Sequence, residues 1–196
     1  MGAALMPALG SFSGPFLWYV TRATGISAYV VLTLVVFLGS LRSIARVSQE
    51  QISWVVDELH QFCSVLAGIL VLGHMVALLL DPFIPFTLIN LILPIHEPYN
   101  PPAVTYGIFG LYAMFILLAS SWLRRQIPYA IWRSVHYISI PAFILFTLHG
   151  MMAGSDAKEQ WNVGLYAGAS AAVAFMLILR IFIRSPSKAA ASDDTR

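Results

Sequence analysis

Charged side chains are scarce in this chain. Only 10% of its 196 residues are Asp, Glu, Lys or Arg, whereas about a quarter of the residues in an ordinary soluble domain are charged. Hydrophobic residues make up 59% of the sequence. This composition excludes an ordinary soluble domain and indicates an integral membrane protein in contact with lipid. About five or six spans of about 20 residues each would fill the chain, so we expect no separate nucleotide-binding domain.

The net charge is small, and cysteine is scarce. The formal net charge is +2, and the eleven basic residues do not form one patch, which argues against nucleic acid as a partner. The single cysteine, Cys63, excludes an intramolecular disulfide, a four-cysteine zinc site and a cysteine-ligated iron–sulfur cluster. Any redox chemistry must therefore use other ligands.

Long apolar runs are plentiful, and five of them are long enough to cross a bilayer. They cover residues 16–41, 53–80, 104–123, 128–151 and 162–183. The shorter run FTLINLILPI, residues 86–95, is about half the required length and predicts a short interfacial helix. The fold class is therefore an all-α bundle of five transmembrane helices plus that short helix. Residues 1–15 are expected to be a flexible lead-in, 16–184 the membrane domain, and 185–196 a disordered cytoplasmic tail.

Charged residues are sorted between the two sides of the predicted membrane. The first and third connections and the tail are basic, with Arg42, Arg46, Arg124, Arg125, Arg184, Lys188 and Arg196. The opposite connections carry Asp81, Glu97, Asp156 and Glu159 against Lys158 alone. The positive-inside rule then predicts an outer N-terminus and a cytoplasmic C-terminus. The expected location is a bacterial plasma membrane. Tryptophans mark the same two interfaces, with Trp18 and Trp161 outside and Trp54, Trp122 and Trp132 inside.

Four histidines lie within the predicted spans. His60 and His74 are 14 residues apart on span two, and His136 and His149 are 13 apart on span four. At 1.5 Å per residue, these intervals separate the members by about 21 Å and about 19.5 Å along the helix axes. Both spans start at the cytoplasmic face, so His60 is predicted level with His136, and His74 level with His149. A single membrane histidine is often a hydrogen-bonded packing residue, but four at matched depths indicate a functional site.

The helical phase of span four is an open point. Thirteen residues place His136 and His149 about 140° apart around a regular helix. Pro141 lies between them, and the kink and lost hydrogen bond that proline causes are one way to change this phase.

Haem iron suits two such pairs better than zinc does. Zinc needs four ligands, and neither level has the carboxylates or thiolates to complete its shell. Haem brings four nitrogens of its own, so one histidine from each of two helices completes six-coordination. We therefore expect two bis-His haem b groups between spans two and four. Gly68 and Gly73 are candidates for close approach of a macrocycle, although glycine is common in transmembrane helices generally.

The sequence resembles the transmembrane domain of the ferric reductase and NADPH oxidase superfamily, and more distantly the haem-bearing membrane subunit of bacterial methionine sulfoxide reductase systems. The matching pieces are TRATGISAYVVLTL in span one, the His60/His74 pair, and WRSVHYISIPAFILFTLHG in span four. The resemblance implies an inner haem b at His60/His136 and an outer one at His74/His149. Superfamily members continue into a flavin and nicotinamide domain, whereas this chain stops at Arg196. We therefore expect a separate electron-donor protein or quinol.

The same resemblance places one arginine near the propionates of the outer haem, and a second arginine is a candidate at the inner haem by its position in the sequence. Arg22 corresponds to an arginine that contacts the outer propionates, and guanidinium can bind such carboxylates bidentately. The alternative is an arginine that snorkels to the headgroups. Arg133 is one turn before His136 and could serve the inner haem, although its position also satisfies the positive-inside pattern. His96, beside Glu97 in an outer loop, is a weaker metal-ligand candidate.

These expectations describe an electron-transfer component without catalytic residues of its own, because bis-His iron has no vacant position for a substrate. It would carry electrons from a cytoplasmic or membrane donor to an extracytoplasmic acceptor. Two alternatives stay open: a quinol-linked cytochrome b subunit feeding a periplasmic reductase, and a haem-free scaffold or transporter component. The absence of an intramembrane Asp/Glu chain in the sequence argues against a transporter.

Overall fold

The regular secondary structure in the described part of the chain is all helical. The structure, a computed structural model, describes residues 15–47, 53–95 and 98–183, and within these ranges it contains no strand. The helices are α1 (Pro15–Val47), α2 (Ser53–Leu80), α3 (Leu88–Ile92), α4 (Pro101–Trp122), α5 (Tyr129–His136), α6 (Ser139–Ala153) and α7 (Gln160–Phe182). The predicted lead-in, tail and His96 lie outside the described residues, apart from residue 15 of the lead-in.

Five candidate spans are long and apolar enough to cross a membrane, as predicted. They are Phe16–Ile44, Trp54–Leu80, Pro101–Trp122, Tyr129–Ala153 and Gln160–Phe182, and we number them one to five. Span three begins at Pro101, three residues before the predicted start, because proline is well tolerated in the first turn of a helix. Of the short run 86–95, only α3 is helical, and a capping box between Thr87 and Asn90 begins it.

Span two shows why the helices require lipid. Large apolar side chains recur on one face at intervals of three or four residues and are more than half exposed, at Phe62, Val65, Ile69, Leu72 and Val76. The opposite face is buried at Val56, Ala67, Val71 and Ala77. This helical periodicity, with an apolar outer stripe in place of a charged one, is the pattern of a helix that faces hydrocarbon.

Span one is the centre of the bundle. It packs along span two and also contacts spans four and five, while span three packs mainly against span four. Aromatic rings join spans one, four and five: the Tyr29 ring lies 5.8 Å from Phe143 and 4.3 Å from Tyr166, between centroids. The backbones of spans two and four come close to each other at few positions. Their side chains therefore meet across a gap that the other helices frame.

Span four is broken between α5 and α6, immediately after His136. Tyr137 and Ile138 have ψ angles of −17° and −18°, and the amides of residues 137, 138 and 140 bond to carbonyls three residues earlier. Pro141 has no amide hydrogen for the carbonyl of Tyr137, which accepts from Ile140 instead. Such 3₁₀ winding advances by about 20° more per residue than an α-helix. The overwinding brings His149 back toward the face of His136.

Candidate functional site

The four predicted histidines meet in two pairs. The imidazole centroids of His60 and His136 are 6.2 Å apart, with an angle of 64° between the ring planes. Those of His74 and His149 are 6.3 Å apart, with an angle of 84°. These are the two pairs expected from the depths of the histidines, so spans two and four face each other as the site requires.

Backbone carbonyls hold three of the four rings. The Nδ1 atoms of His60, His74 and His149 lie 2.9, 2.8 and 2.8 Å from the carbonyl oxygens of Val35, Thr21 and Ala103. A carbonyl oxygen can only accept, so each Nδ1 carries the proton and donates it. In a neutral imidazole, Nε2 then keeps its lone pair. This is the tautomer that a metal ligand needs, with its second nitrogen hydrogen-bonded.

Three glycines that sequence analysis missed lie against these rings. A Cβ added to Gly25 would be 3.1 Å from Nδ1 of His74, one on Gly39 would be 3.2 Å from Cε1 of His60, and one on Gly107 would be 2.7 Å from Nδ1 of His149. Gly25 and Gly39 are 14 residues apart, the same interval that separates His60 and His74 on the adjoining antiparallel span. That matched spacing is a sequence signal which could have identified both. Gly107 has no equivalent signal.

Gly68 and Gly73 occupy other positions. A Cβ on Gly68 would make ordinary contact with Leu118 at 3.4 Å, and one on Gly73 would lie 3.7 Å from the Thr24 side chain. Both glycines therefore face neighbouring helices, with no histidine ring among the nearest atoms. Their contact with a macrocycle stays a prediction.

His136 is the exception among the four rings. Its Nδ1 atom is buried and has no hydrogen-bond partner within the described residues. The ring is instead stacked on Trp132, with centroids 4.8 Å apart and planes at 25°. Trp132 was predicted as an interfacial anchor, but it is only 8% exposed, because the short helix α5 turns it inward against the imidazole.

Arg22 lies near the His74/His149 pair, with a partner that sequence analysis missed. It lines a cavity of about 420 Å³ together with His74, His149 and Asp156. Its guanidinium forms an ion pair with Asp156 and lies 5.0 Å from the ring centroid of Trp18. A bound carboxylate at this cavity would meet one cation and two competing carboxylates, those of Asp81 and Asp156. Propionate contact by Arg22 stays a prediction.

The ion pair gives a testable stability effect. Arg22→Gln would leave the Asp156 carboxylate, whose side chain is 15% exposed, without its cation. We expect a loss of about 1–2 kcal/mol, reduced from the cost of a fully buried pair because the Arg22 side chain is 33% exposed. Thermal unfolding in detergent would measure it. Lys158→Gln, which removes a neighbouring exposed charge, is the matched control, and Arg22→Gln/Asp156→Asn should recover part of the loss. Equal effects of Arg22→Gln and Lys158→Gln would contradict the prediction.

Arg133 faces away from the inner pair. It is exposed, and its Nε donates to the Tyr137 hydroxyl at 3.3 Å. Within the described residues, no contact joins it to His60 or His136, so its propionate role stays a prediction. Three other guanidinium groups lie within electrostatic range of His136, those of Arg42, Arg124 and Arg180. Sequence analysis missed their convergence, because they come from three separate spans or loops.

In the part of the chain that the structure describes, the donor set fits a haem iron better than a metal ion that is held by side chains alone. Among the described residues, no group of three or more His, Cys, Asp or Glu side chains converges, which leaves a tetrahedral shell incomplete. Two imidazoles on opposite sides of one metal ion have centroids about 6.3 Å apart, because each metal–nitrogen bond is about 2.0–2.1 Å and the centroid lies about 1.1 Å beyond the nitrogen. The observed 6.2 and 6.3 Å agree with this value.

The fold and the site define a multi-pass helical membrane protein with two levels of paired intramembrane histidines. The family described as "Ferric reductase like transmembrane component" matches residues 24–147, which is more than half of the chain, and the protein belongs to this family. Membership indicates electron transfer across a membrane. The matched segment contains His60, His74 and His136 and ends two residues before His149. No curated protein and no solved structure matches the chain.

Proposed function

We propose that this protein is a di-haem cytochrome b subunit, with one haem b between His60 and His136 and the other between His74 and His149. The observation that carries the proposal is the geometry of the two pairs, with centroids 6.2 and 6.3 Å apart. Family membership supports it. The protonated Nδ1 of three of the rings supports it further, because their Nε2 atoms are left available for iron.

When bound, each haem would supply a one-electron redox centre with no open coordination position. The chain's own residues fix where these centres lie. Span two carries its histidines 14 residues apart, so the two levels are separated by about 21 Å along the helix. A low dielectric together with nearby guanidinium groups tunes the potential of such a site.

The proposed direction of electron flow is outward. The positive-inside rule, applied to the basic connections, supports a cytoplasmic level at His60/His136 and an outer level at His74/His149, with the N-terminus outside. A separate donor protein or a quinol would deliver electrons at the inner level, and an extracytoplasmic acceptor would receive them. With the inside negative, one electron moved fully outward gains about 2.3 kcal/mol per 100 mV.

A haem count tests the proposal directly. The full-length protein purified in detergent is expected to carry two haem b per chain, with low-spin bis-imidazole spectra in both redox states. Reduction of the haems by an added electron donor, either a vesicle-bound quinol or a flavoprotein, would then identify the class of donor. Colourless protein from haem-replete cells would contradict the proposal and favour the haem-free scaffold.

A further inference from the structure

Three of the intramembrane imidazoles lie in one repeated arrangement. Each ring lies against a glycine on a neighbouring helix, and its Nδ1 bonds to the carbonyl four residues before that glycine. The three sets are His74 with Gly25 and Thr21, His60 with Gly39 and Val35, and His149 with Gly107 and Ala103. The arrangement occurs on both span one and span three, so it does not depend on one local sequence.

The geometry of the α-helix explains the four-residue offset. The carbonyl of residue i−4 accepts the amide hydrogen of residue i and retains a second lone pair. A Cβ at residue i stands over this region and shields the carbonyl from a side chain on another helix. Glycine removes that atom, so a flat ring can reach the oxygen. We call each glycine, together with the carbonyl four residues before it, a slot for the imidazole. The slot needs glycine for space and not for an unusual backbone angle, because none of these glycines has a positive φ.

We propose that Gly25, Gly39 and Gly107 are positioning residues that set the tautomer and direction of the iron-binding imidazoles. The ligand that these rings bind rests on the proposed function, whereas the hydrogen bonds themselves do not. Each glycine acts on one level: Gly39 on the inner pair through His60, and Gly25 and Gly107 on the outer pair through His74 and His149. His136 has no such slot within the described residues and stacks on Trp132 instead.

Alanine in place of each glycine is expected to change metal affinity and potential at only one histidine level, and the change is larger where the added Cβ lies closer to the ring. Gly107→Ala is the most severe, because its Cβ would lie 2.7 Å from a ring nitrogen, compared with 3.1 Å at Gly25 and 3.2 Å at Gly39. The displaced ring loses its carbonyl partner, and loss of such a partner typically costs 10- to 100-fold in metal affinity. A less basic imidazole also stabilises the oxidised iron less, so the potential of the affected level shifts upward. Gly39→Ala changes the inner level alone.

The experiment compares these variants with Gly164→Ala and Gly168→Ala. Both control glycines lie on span five, and a Cβ at either would meet nothing within 4 Å. Redox titration and haem affinity report on the two levels of the full-length protein. Nitrogen NMR of labelled histidines, recorded on the same reduced samples, reports which ring nitrogen carries the proton whether or not haem is present. If Gly107→Ala fails to fold, Gly39→Ala carries the test, because its contact requires a shift of only a few tenths of an ångström.

The outcomes separate this inference from the proposed function. Level-specific shifts in potential and loss of the Nδ1-protonated form in the slot variants, with both controls unchanged, support the positioning role. Haem-free wild-type protein with the same tautomer changes would overturn the proposed function and leave the positioning role intact. Folded slot variants with unchanged tautomers, potentials and haem affinity would overturn the inference.

Discussion

His149→Ala is expected to lose the outer haem and retain the inner one, which halves the haem content of the purified protein. The ring lies in a slot on span three and faces His74 at 6.3 Å, and alanine leaves the iron with one imidazole. Because the inner level shares neither ligand, its spectrum and potential should be nearly unchanged. His60→Ala should give the reverse pattern. Haem quantification and redox difference spectra measure both effects.

Two controls separate lost ligation from lost folding. Met151→Ala changes an exposed side chain two residues from His149, and Cys63→Ala changes a small residue one turn from His60. Both should keep two haems. Added imidazole can occupy the space left in His149→Ala and should restore part of the outer signal. Full haem content in His60→Ala and in His149→Ala would end the di-haem proposal.

Gly150→Ala is expected to be the most destabilising small substitution in the bundle. Its Cβ would overlap the hydroxyl and ring edge of Tyr166, a residue only 5% exposed and packed on Tyr29. Neither ring can move freely, because Phe143 and Val173 complete the same cluster. Overpacking of this kind costs about 1–3 kcal/mol, and more where the neighbours cannot shift. Thermal unfolding and the yield of folded protein would show it.

The hydroxyl of Tyr166 provides the matched test. Tyr166→Phe removes the atom nearest the added Cβ, so Gly150→Ala/Tyr166→Phe should recover part of the lost stability. Gly164→Ala, whose Cβ meets no neighbour, should be neutral or stabilising by up to about 1 kcal/mol. Equal stability of Gly150→Ala and Gly164→Ala would show that spans four and five are not packed as described.

The five spans and the two histidine levels were predictable because each depends on distance along one helix. Apolar length decides whether a segment can cross hydrocarbon. A rise of 1.5 Å per residue then converts the 14-residue interval between His60 and His74 into a depth. Neither quantity requires knowledge of the neighbouring helices. The basic and acidic connections, which set the proposed orientation, are equally local.

Contacts between helices were predicted less well, because they depend on rotation and on the path of each chain segment. A regular helix would have turned His149 about 140° from His136, and the 3₁₀ turn at Tyr137 and Ile138 reduces that angle. The glycines that contact the imidazole rings lie on spans one and three, and the macrocycle contact expected at Gly68 and Gly73 of span two stays a prediction.

Ion pairs, like the contacts of the rings, depend on the tertiary structure, whereas the charge of each connection is given by the sequence. The acidic character of the second and fourth connections was evident in the sequence. The ion pair between Arg22 and Asp156, however, joins residues 134 positions apart, and no periodicity reports such a contact. Depth in the bilayer follows from one segment's length and hydropathy, so a linear pattern is sufficient to give it. The direction in which a ring or a guanidinium points follows from how several helices pack, and only their assembly in three dimensions establishes it.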